Sequence, residues 1–311
     1  MLFPGQGIQF PKMGIYFYNN YAVAKRTFSE ASHILGWSVD KLCFEGTVGE
    51  LNRFSNMQIL IFTTEMAMYR SFQQDYGTKP TLVMGHSIGE YTALVCAGAI
   101  DFADALHLLI KRGELIEGLL AKQSERMAII ENIRTNQLQC LLEGMEKAVL
   151  ISCYNSSSQH AVCGDESQLI QLAKALKSVG ARMTPLLFSP PMHTKFMLSA
   201  QEEYQEYLRH FSFSSFAHPV ISNVKGKPFL NGEDLVQMLA DHLTQPVQWA
   251  NSIDCLIRSD ITCAVEISPR TLLSPFLNEN QPGIRTLCYG LNKDRDILAR
   301  MFSSGTASMQ N

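Results

Sequence analysis

The stretch Gly85-His86-Ser87-Ile88-Gly89-Glu90 constrains this chain more than any other. An apolar run from Pro80 to Met84 enters it and a second, Tyr91 to Cys96, leaves it, so it reads as a strand turning sharply into a helix. Glycine at 85 and 89 lets strand and helix approach with no Cβ between them, which pushes Ser87 to the tip of the turn. This is the context of a G-x-S-x-G nucleophile elbow, and the N–H groups opening the next helix favour a negative charge developing there. The alternative for so short a pattern is an ordinary glycine-rich turn. The rest of the chain must discriminate.

Composition narrows the classes. With 311 residues, 46% of them hydrophobic, the chain has material for one large core or two domains. A net charge of −3 argues against nucleic-acid or membrane-surface partners. The apolar runs fall short of the roughly 18 residues that span a bilayer, and no signal peptide is visible in Met1-Leu-Phe-Pro-Gly. Eight cysteines (43, 96, 140, 153, 163, 255, 263 and 288) lie mostly within apolar runs and never as C-x-x-C. They read as reduced thiols of a cytoplasmic protein, without a disulfide or metal framework.

Along the chain, a short strand at Leu2-Phe3 leads into the loop Pro4-Gly-Gln-Gly-Ile-Gln9. Helical patterns follow over Tyr21–Leu35 and Met57–Tyr76, and short apolar runs between helices suggest the βα rhythm of a parallel sheet. Another helix starts at Asp101, a good N-cap, and runs through Gly113. The middle reads strand (Met127–Ile130), helix (Thr135–Leu142), strands (Ala148–Ile151 and His160–Cys163), helix (Glu166–Ser178) and strand (Arg182–Phe188). That β-α-β-β-α-β order is ferredoxin-like. The expected architecture is an α/β-hydrolase-like large domain with a parallel sheet (1–122 and 191–302), a ferredoxin-like insertion (123–190), further strands near Val220 and Cys263–Ile267, and a disordered tail (303–311).

A serine hydroxyl is a weak nucleophile and needs a base. Of the eight histidines, His86 is expected to point away from Ser87 and His107 lies mid-helix. His193 follows Pro190-Pro191-Met192, where two prolines stiffen the loop. Arg112 has Ala105, Leu108, Leu109, Leu115 and Ile116 at helical spacing, so it belongs on a buried face, whereas Lys111 can reach water. A buried guanidinium must meet an anion. Either a protein carboxylate such as Glu90 or a substrate carboxylate would serve. The Gly5-Gln6-Gly7 loop is not a dinucleotide fingerprint, since the third glycine is missing. Its backbone N–H could instead join that of Ile88 as an oxyanion hole.

Phe3-Pro-Gly-Gln-Gly-Ile-Gln9, Gly85-His-Ser-Ile-Gly-Glu90, Arg112 twenty-five residues beyond Ser87, Met192-His193 and Pro246-Val-Gln-Trp249 follow one another in this order, with Glu266-Ile-Ser-Pro269 after them. That order and spacing resemble the malonyl-CoA:acyl-carrier-protein transacylases and the acyltransferase domains of polyketide synthases, over nearly the whole chain. The resemblance implies that Ser87 takes the acyl group from coenzyme A and His193 acts as its base, oriented by a main-chain carbonyl near Gln248. It implies an oxyanion hole from the N–H groups of Gln6 and Ile88, with Arg112 holding the free carboxylate of malonate. Met192, Gln248 and Asn155 would line the substrate site. The partners it implies are a coenzyme A thioester, malonyl-CoA, and the phosphopantetheine thiol of an acyl carrier protein, with no permanently bound cofactor and no metal.

The chain departs from the pattern at Ile8, Ile88, Glu125-Arg126 and Arg270, where the family commonly has serine, leucine, a glycine ahead of the methionine, and glycine. Pro191-Met192 also replaces the usual alanine-phenylalanine or serine before the histidine, which bears on the acyl group chosen. The expected activity is malonyl transfer to a carrier protein, for polyketide assembly in trans or for fatty acid synthesis. An editing hydrolase with the same serine and histidine is the alternative. A non-catalytic docking module is disfavoured by the intact Ser87, His193, Gln6 and Gln248, and an ordinary esterase by the absence of a His-Gly-Gly segment.

Overall fold

Parallel strands cannot be joined by tight hairpins, so a parallel sheet needs long, usually helical, crossovers. The computed structural model of the protein, which describes residues 1–120, 124–145, 149–186, 189–229 and 234–306, shows how they are supplied. Strand β1 (Leu2–Phe3) is followed by α1 (Ile15–Asn20), α2 (Ala22–Leu35), α3 (Val39–Glu45), α4 (Val48–Asn52) and α5 (Phe54–Tyr76). Then come β2 (Val83–Gly85), α6 (Gly89–Cys96) and α7 (Phe102–Leu120). The middle contributes β3 (Glu125–Glu131), α8 (Thr135–Glu143), β4 (Leu150–Tyr154), β5 (Gln159–Asp165), α9 (Glu166–Ser178) and β6 (Arg182–Leu186). The chain continues through α10 (Leu198–Leu208), β7 (Val220–Ser222), β8 (Lys227–Pro228), α11 (Leu235–Asp241) and α12 (Trp249–Arg258). It ends with β9 (Cys263–Glu266), α13 (Ser274–Asn280), β10 (Arg285–Cys288) and α14 (Asn292–Thr306).

These elements form two units, one of Met1–Ile110, Ser214–Val220 and Asp260–Asn311, the other of Lys111–Phe213 and Ile221–Ser259. The second unit extends beyond the expected insertion (123–190) at both ends. In the first, the strand order is β10-β9-β1-β2-β7. β1 runs parallel to β2 (Leu2 opposite Met84, Phe3 opposite Gly85) and to β9 (Leu2 opposite Glu266), and β9 runs parallel to β10. Parallel neighbours end at the same edge, so the loops after β1, β2 and β9 emerge side by side. The expected α/β architecture with a parallel sheet is what the chain adopts.

Between residues 15 and 76 the regular elements are all helices, where the sequence suggested alternating strands. The helical reading of Met57–Tyr76 holds, as α5 (Phe54–Tyr76), while the short apolar runs between the helices belong to helix ends and turns: Val39 and Cys43, for example, are buried on α3. The last helix runs to Thr306, into the expected tail. The calls for 121–123, Ala148, 187–188 and 307–311 fall outside the described residues. Among the described residues no helix is long and apolar enough to cross a membrane.

In the second unit the sheet order is β4-β5-β3-β6, all antiparallel, with α8 and α9 in the connections. This is the ferredoxin-like order. Ala128, Ile130, Leu138, Val162, Leu172 and Leu176 form its apolar core, each 1% exposed or less.

Behind the elbow helix lies a buried acid. Glu65 of α5 is fully buried, and its Oε2 accepts the hydroxyl of Thr92 on α6 at 2.5 Å. Burial pushes its carboxyl well above the usual range, the Thr92 hydrogen bond pulls it back in part, and the charge of Glu266 adds to the rise. A carboxyl whose pKa is higher folded than unfolded stabilises the fold while protonated, and that contribution fades as pH climbs above the unfolded value near 4.5. Glu65→Gln, which stays neutral, should therefore have a flatter thermal midpoint between pH 5 and 9 than the wild type. Parallel midpoint curves, measured by calorimetry, would show that the acid is not kept protonated.

Candidate active site

The elbow is built from close backbone approaches. A Cβ added at Gly89 would stand 2.0 Å from the Phe3 carbonyl oxygen, and one at Gly85 would stand 2.0 Å from the carbonyl of Gly89. Only glycine lets β1, β2 and α6 come this near. The N–H of His86 donates to Phe3 O at 2.9 Å, tying the turn to β1. Gly89, Glu90 and Tyr91 donate back to the carbonyls of His86, Ser87 and Ile88, each at 3.0 Å, and the N–H of Ile88 is not used by that ladder. Ser87 sits at the tip, half-buried, with φ 53°. A side chain in the left-handed region carries backbone strain that the surrounding contacts must impose. The ordinary-turn alternative does not require that strain.

The loop after β1 lies against this tip. A Cβ at Gly5 would meet the His86 carbonyl oxygen at 2.5 Å and the Ser87 Cβ at 3.5 Å. Gln6 follows, exposed, and Ile88 is buried (2%) as the N-cap of α6. The first unit thus gathers Ser87, Ile88 and Gln6 along one sheet edge.

His193 belongs to the second unit and is held from several sides. Its N–H donates to Leu243 O at 2.9 Å, and its Nδ1 stands 2.7 Å from His242 O. A carbonyl only accepts, so Nδ1 carries the proton and Nε2 the lone pair that a base needs. Both carbonyls lie just past the end of α11, where a helix leaves its last C=O groups unspent and its dipole favours a cation. The family resemblance implied that this carbonyl lies near Gln248. The structure corrects that: Gln248 caps α12 and its Oε1 accepts from Asn251 Nδ2 at 2.9 Å, while His242 supplies the carbonyl. The His242 ring also packs on that of His193, with centroids 4.8 Å apart.

The preceding turn is clamped as well. Met192 N–H donates to Pro190 O at 2.7 Å, Thr194 Oγ1 donates to Pro191 O at 2.7 Å, and Ser152 Oγ of β4 donates to Met192 O at 2.8 Å. His193 has φ 60°, so it shares with Ser87 a backbone state that few side chains adopt. Met192 is 4% exposed.

Arg112 on α7 is 1% exposed, as its helical spacing predicted, and Leu108, Leu109 and Ile116 are buried around it. Lys111 reaches Glu203 Oε1 at 2.5 Å. Glu90, the alternative protein partner for Arg112, is itself 2% exposed on α6. Asn155 takes up the β4–β5 turn, its Nδ2 donating to Gln159 Oε1 at 3.1 Å and its N–H to Gln159 O at 3.0 Å. His107 is exposed on α7. Burial pushes the thiols of Cys43, Cys153, Cys163 and Cys288 up to about 12, which leaves them without nucleophilic thiolate at neutral pH. His242, Ser152 and Thr194 were not found from the sequence; Pro246, which ends any helix before it, was the one hint that helix-end carbonyls gather near 242.

A strained serine on a strand–helix elbow, set on a parallel α/β sheet, has the geometry of a nucleophile elbow. The family model described as the acyl transferase domain matches residues 1–283. The malonyl CoA-acyl carrier protein transacylase of Bacillus subtilis is 37% identical over 301 residues, covering 96% of this chain and 75% of its own. The crystal structure of malonyl CoA-acyl carrier protein transacylase from Clostridium perfringens matches with a TM-score of 0.93 at 29% identity, covering 100% of this chain and 98% of that one. A type II polyketide-synthase acyl-carrier protein in complex with its malonyl-transacylase gives a match with a TM-score of 0.91 at 28% identity, over 96% of this chain and 98% of that one. The chain belongs to the acyl transferase family that includes the malonyl CoA-acyl carrier protein transacylases.

Proposed function

We propose that the protein moves a malonyl group from coenzyme A to the phosphopantetheine thiol of an acyl carrier protein, in polyketide or fatty acid synthesis. The observation that carries this reading is Ser87 at φ 53° on the elbow, beside the Gly5–Gly7 loop, in a chain of this family. Ser87 Oγ attacks the thioester carbonyl while its proton passes to Nε2 of His193, the tautomer that the His242 carbonyl selects. The N–H groups of Gln6 and Ile88 receive the oxyanion, each such donor being worth on the order of 10²–10³ in rate. Collapse expels coenzyme A, whose sulfur takes the proton from His193, and leaves malonyl ester on Ser87. The carrier's thiol then gives its proton to His193, attacks the ester and restores Ser87, so the kinetics are ping-pong.

Arg112 holds the malonyl carboxylate through paired hydrogen bonds, and Met192 borders the acyl group. No cofactor is required, since the coenzyme A thioester and the carrier's thiol are both substrates. The test is to supply labelled malonyl-CoA with and without a phosphopantetheinylated carrier protein. Label should accumulate on the carrier. Rapid release of free malonate in both reactions would instead make the protein a hydrolase, a reading no observation here favours.

A further inference from the structure

The loop after β1 carries Gln6, and something must hold so exposed a loop in place. Gly7 N–H donates to Gln9 Oε1 at 2.8 Å, and Gln9 Nε2 donates to Asn52 Oδ1 at 2.7 Å. The remaining grip comes from a distant part of the chain. Arg270 Nη2 donates to the carbonyl oxygens of Gly7 and, at 3.3 Å, of Gln9, and its guanidinium lies 5.4 Å from the centroid of the Phe10 ring. These contacts span the residues directly after Gln6. Gly7 is at φ 115°, a conformation that no side chain would hold by itself.

Arg270 is in turn well anchored. Glu266, at the end of β9 and fully buried, accepts the N–H groups of Leu272 (2.7 Å), Leu273 (3.0 Å) and Ser274 (3.0 Å) and the Ser274 hydroxyl (2.6 Å). Ser268 Oγ donates to Arg270 O at 2.6 Å. The parallel pairing of β9 with β1 brings this loop beside the first one. A planar guanidinium suits the task because one face can stack on Phe10 while its edge serves two carbonyls, which an ammonium cannot do.

We propose that Arg270 is a positioning residue for acyl transfer: it clamps the backbone of residues 7–10 so that the Gln6 N–H keeps its aim at the oxyanion. The proposal rests on the malonyl-transfer reading, and its test separates the two. Wild type, Arg270→Ala and Arg270→Lys are compared in three measurements: the rate of malonyl-enzyme formation by rapid quench over a range of malonyl-CoA, amide hydrogen exchange in residues 4–10 without substrate, and the thermal midpoint. In Arg270→Ala the maximal acylation rate should fall about 10- to 100-fold, less than the loss of an oxyanion donor outright. The half-saturating malonyl-CoA concentration should change by less than about twofold, because the donor acts on the transition state. Exchange in 4–10 should quicken while the midpoint holds, and Arg270→Lys should fall between. An unchanged acylation rate overturns the proposal, as does unchanged exchange in 4–10. If the wild type itself takes no malonyl group, the functional reading fails, and the exchange arm still decides the clamp.

Discussion

Incubated with malonyl-CoA, the wild-type protein should gain the mass of one malonyl group, and Ser87→Ala should gain none. Turnover should fall by on the order of 10⁶, the scale seen when a serine nucleophile is removed. The expectation comes from the backbone as much as the side chain. Ser87 is held at φ 53° by contacts from β1, β2 and α6, and these do not depend on its hydroxyl, so the alanine variant should fold. Intact mass and a thermal midpoint together decide the matter. An undiminished adduct in a folded Ser87→Ala protein would move the nucleophile elsewhere, and the buried cysteines, with their raised thiols, offer poor substitutes.

Arg112→Ala should cost malonyl-CoA turnover heavily and acetyl-CoA turnover little, raising the relative preference for acetyl. Removing one partner of a buried charge pair costs about 2–5 kcal/mol, or roughly 30- to 5,000-fold in kcat/KM. A substrate lacking the carboxylate has no such pair to lose. The measurement is kcat/KM for both thioesters in both proteins. Equal losses for the two would assign the guanidinium to a structural ion pair inside the protein, the alternative that its buried helical face leaves open.

Much of this was legible in the sequence, for physical reasons that can be named. The elbow shows itself because two backbone approaches near 2.0 Å exclude every residue but glycine. The ferredoxin-like unit shows itself because amphipathic strands and helices must alternate to bury one core, and β3, α8, β4, β5, α9 and β6 do so. The burial of Arg112 follows from helical spacing alone. What was missed depends on groups that every residue shares. The carbonyl of His242 orients His193, yet a carbonyl leaves no mark in residue type, and the resemblance pointed to Gln248 instead. The strand β10 was overlooked because an edge strand beginning with exposed Arg285 lacks a clear alternation. α5 was read as a helix from Met57 and begins three residues earlier, at Phe54.

The first strand has a consequence for how the protein is made. Leu2 pairs with Met84 on one side and with Glu266 on the other, so the second edge of β1 has no partner until Glu266 has left the ribosome. Pairings this distant in sequence form slowly, and an open strand edge invites other chains. The loop that carries Gln6 therefore settles late, when β9 arrives and brings Arg270 with it.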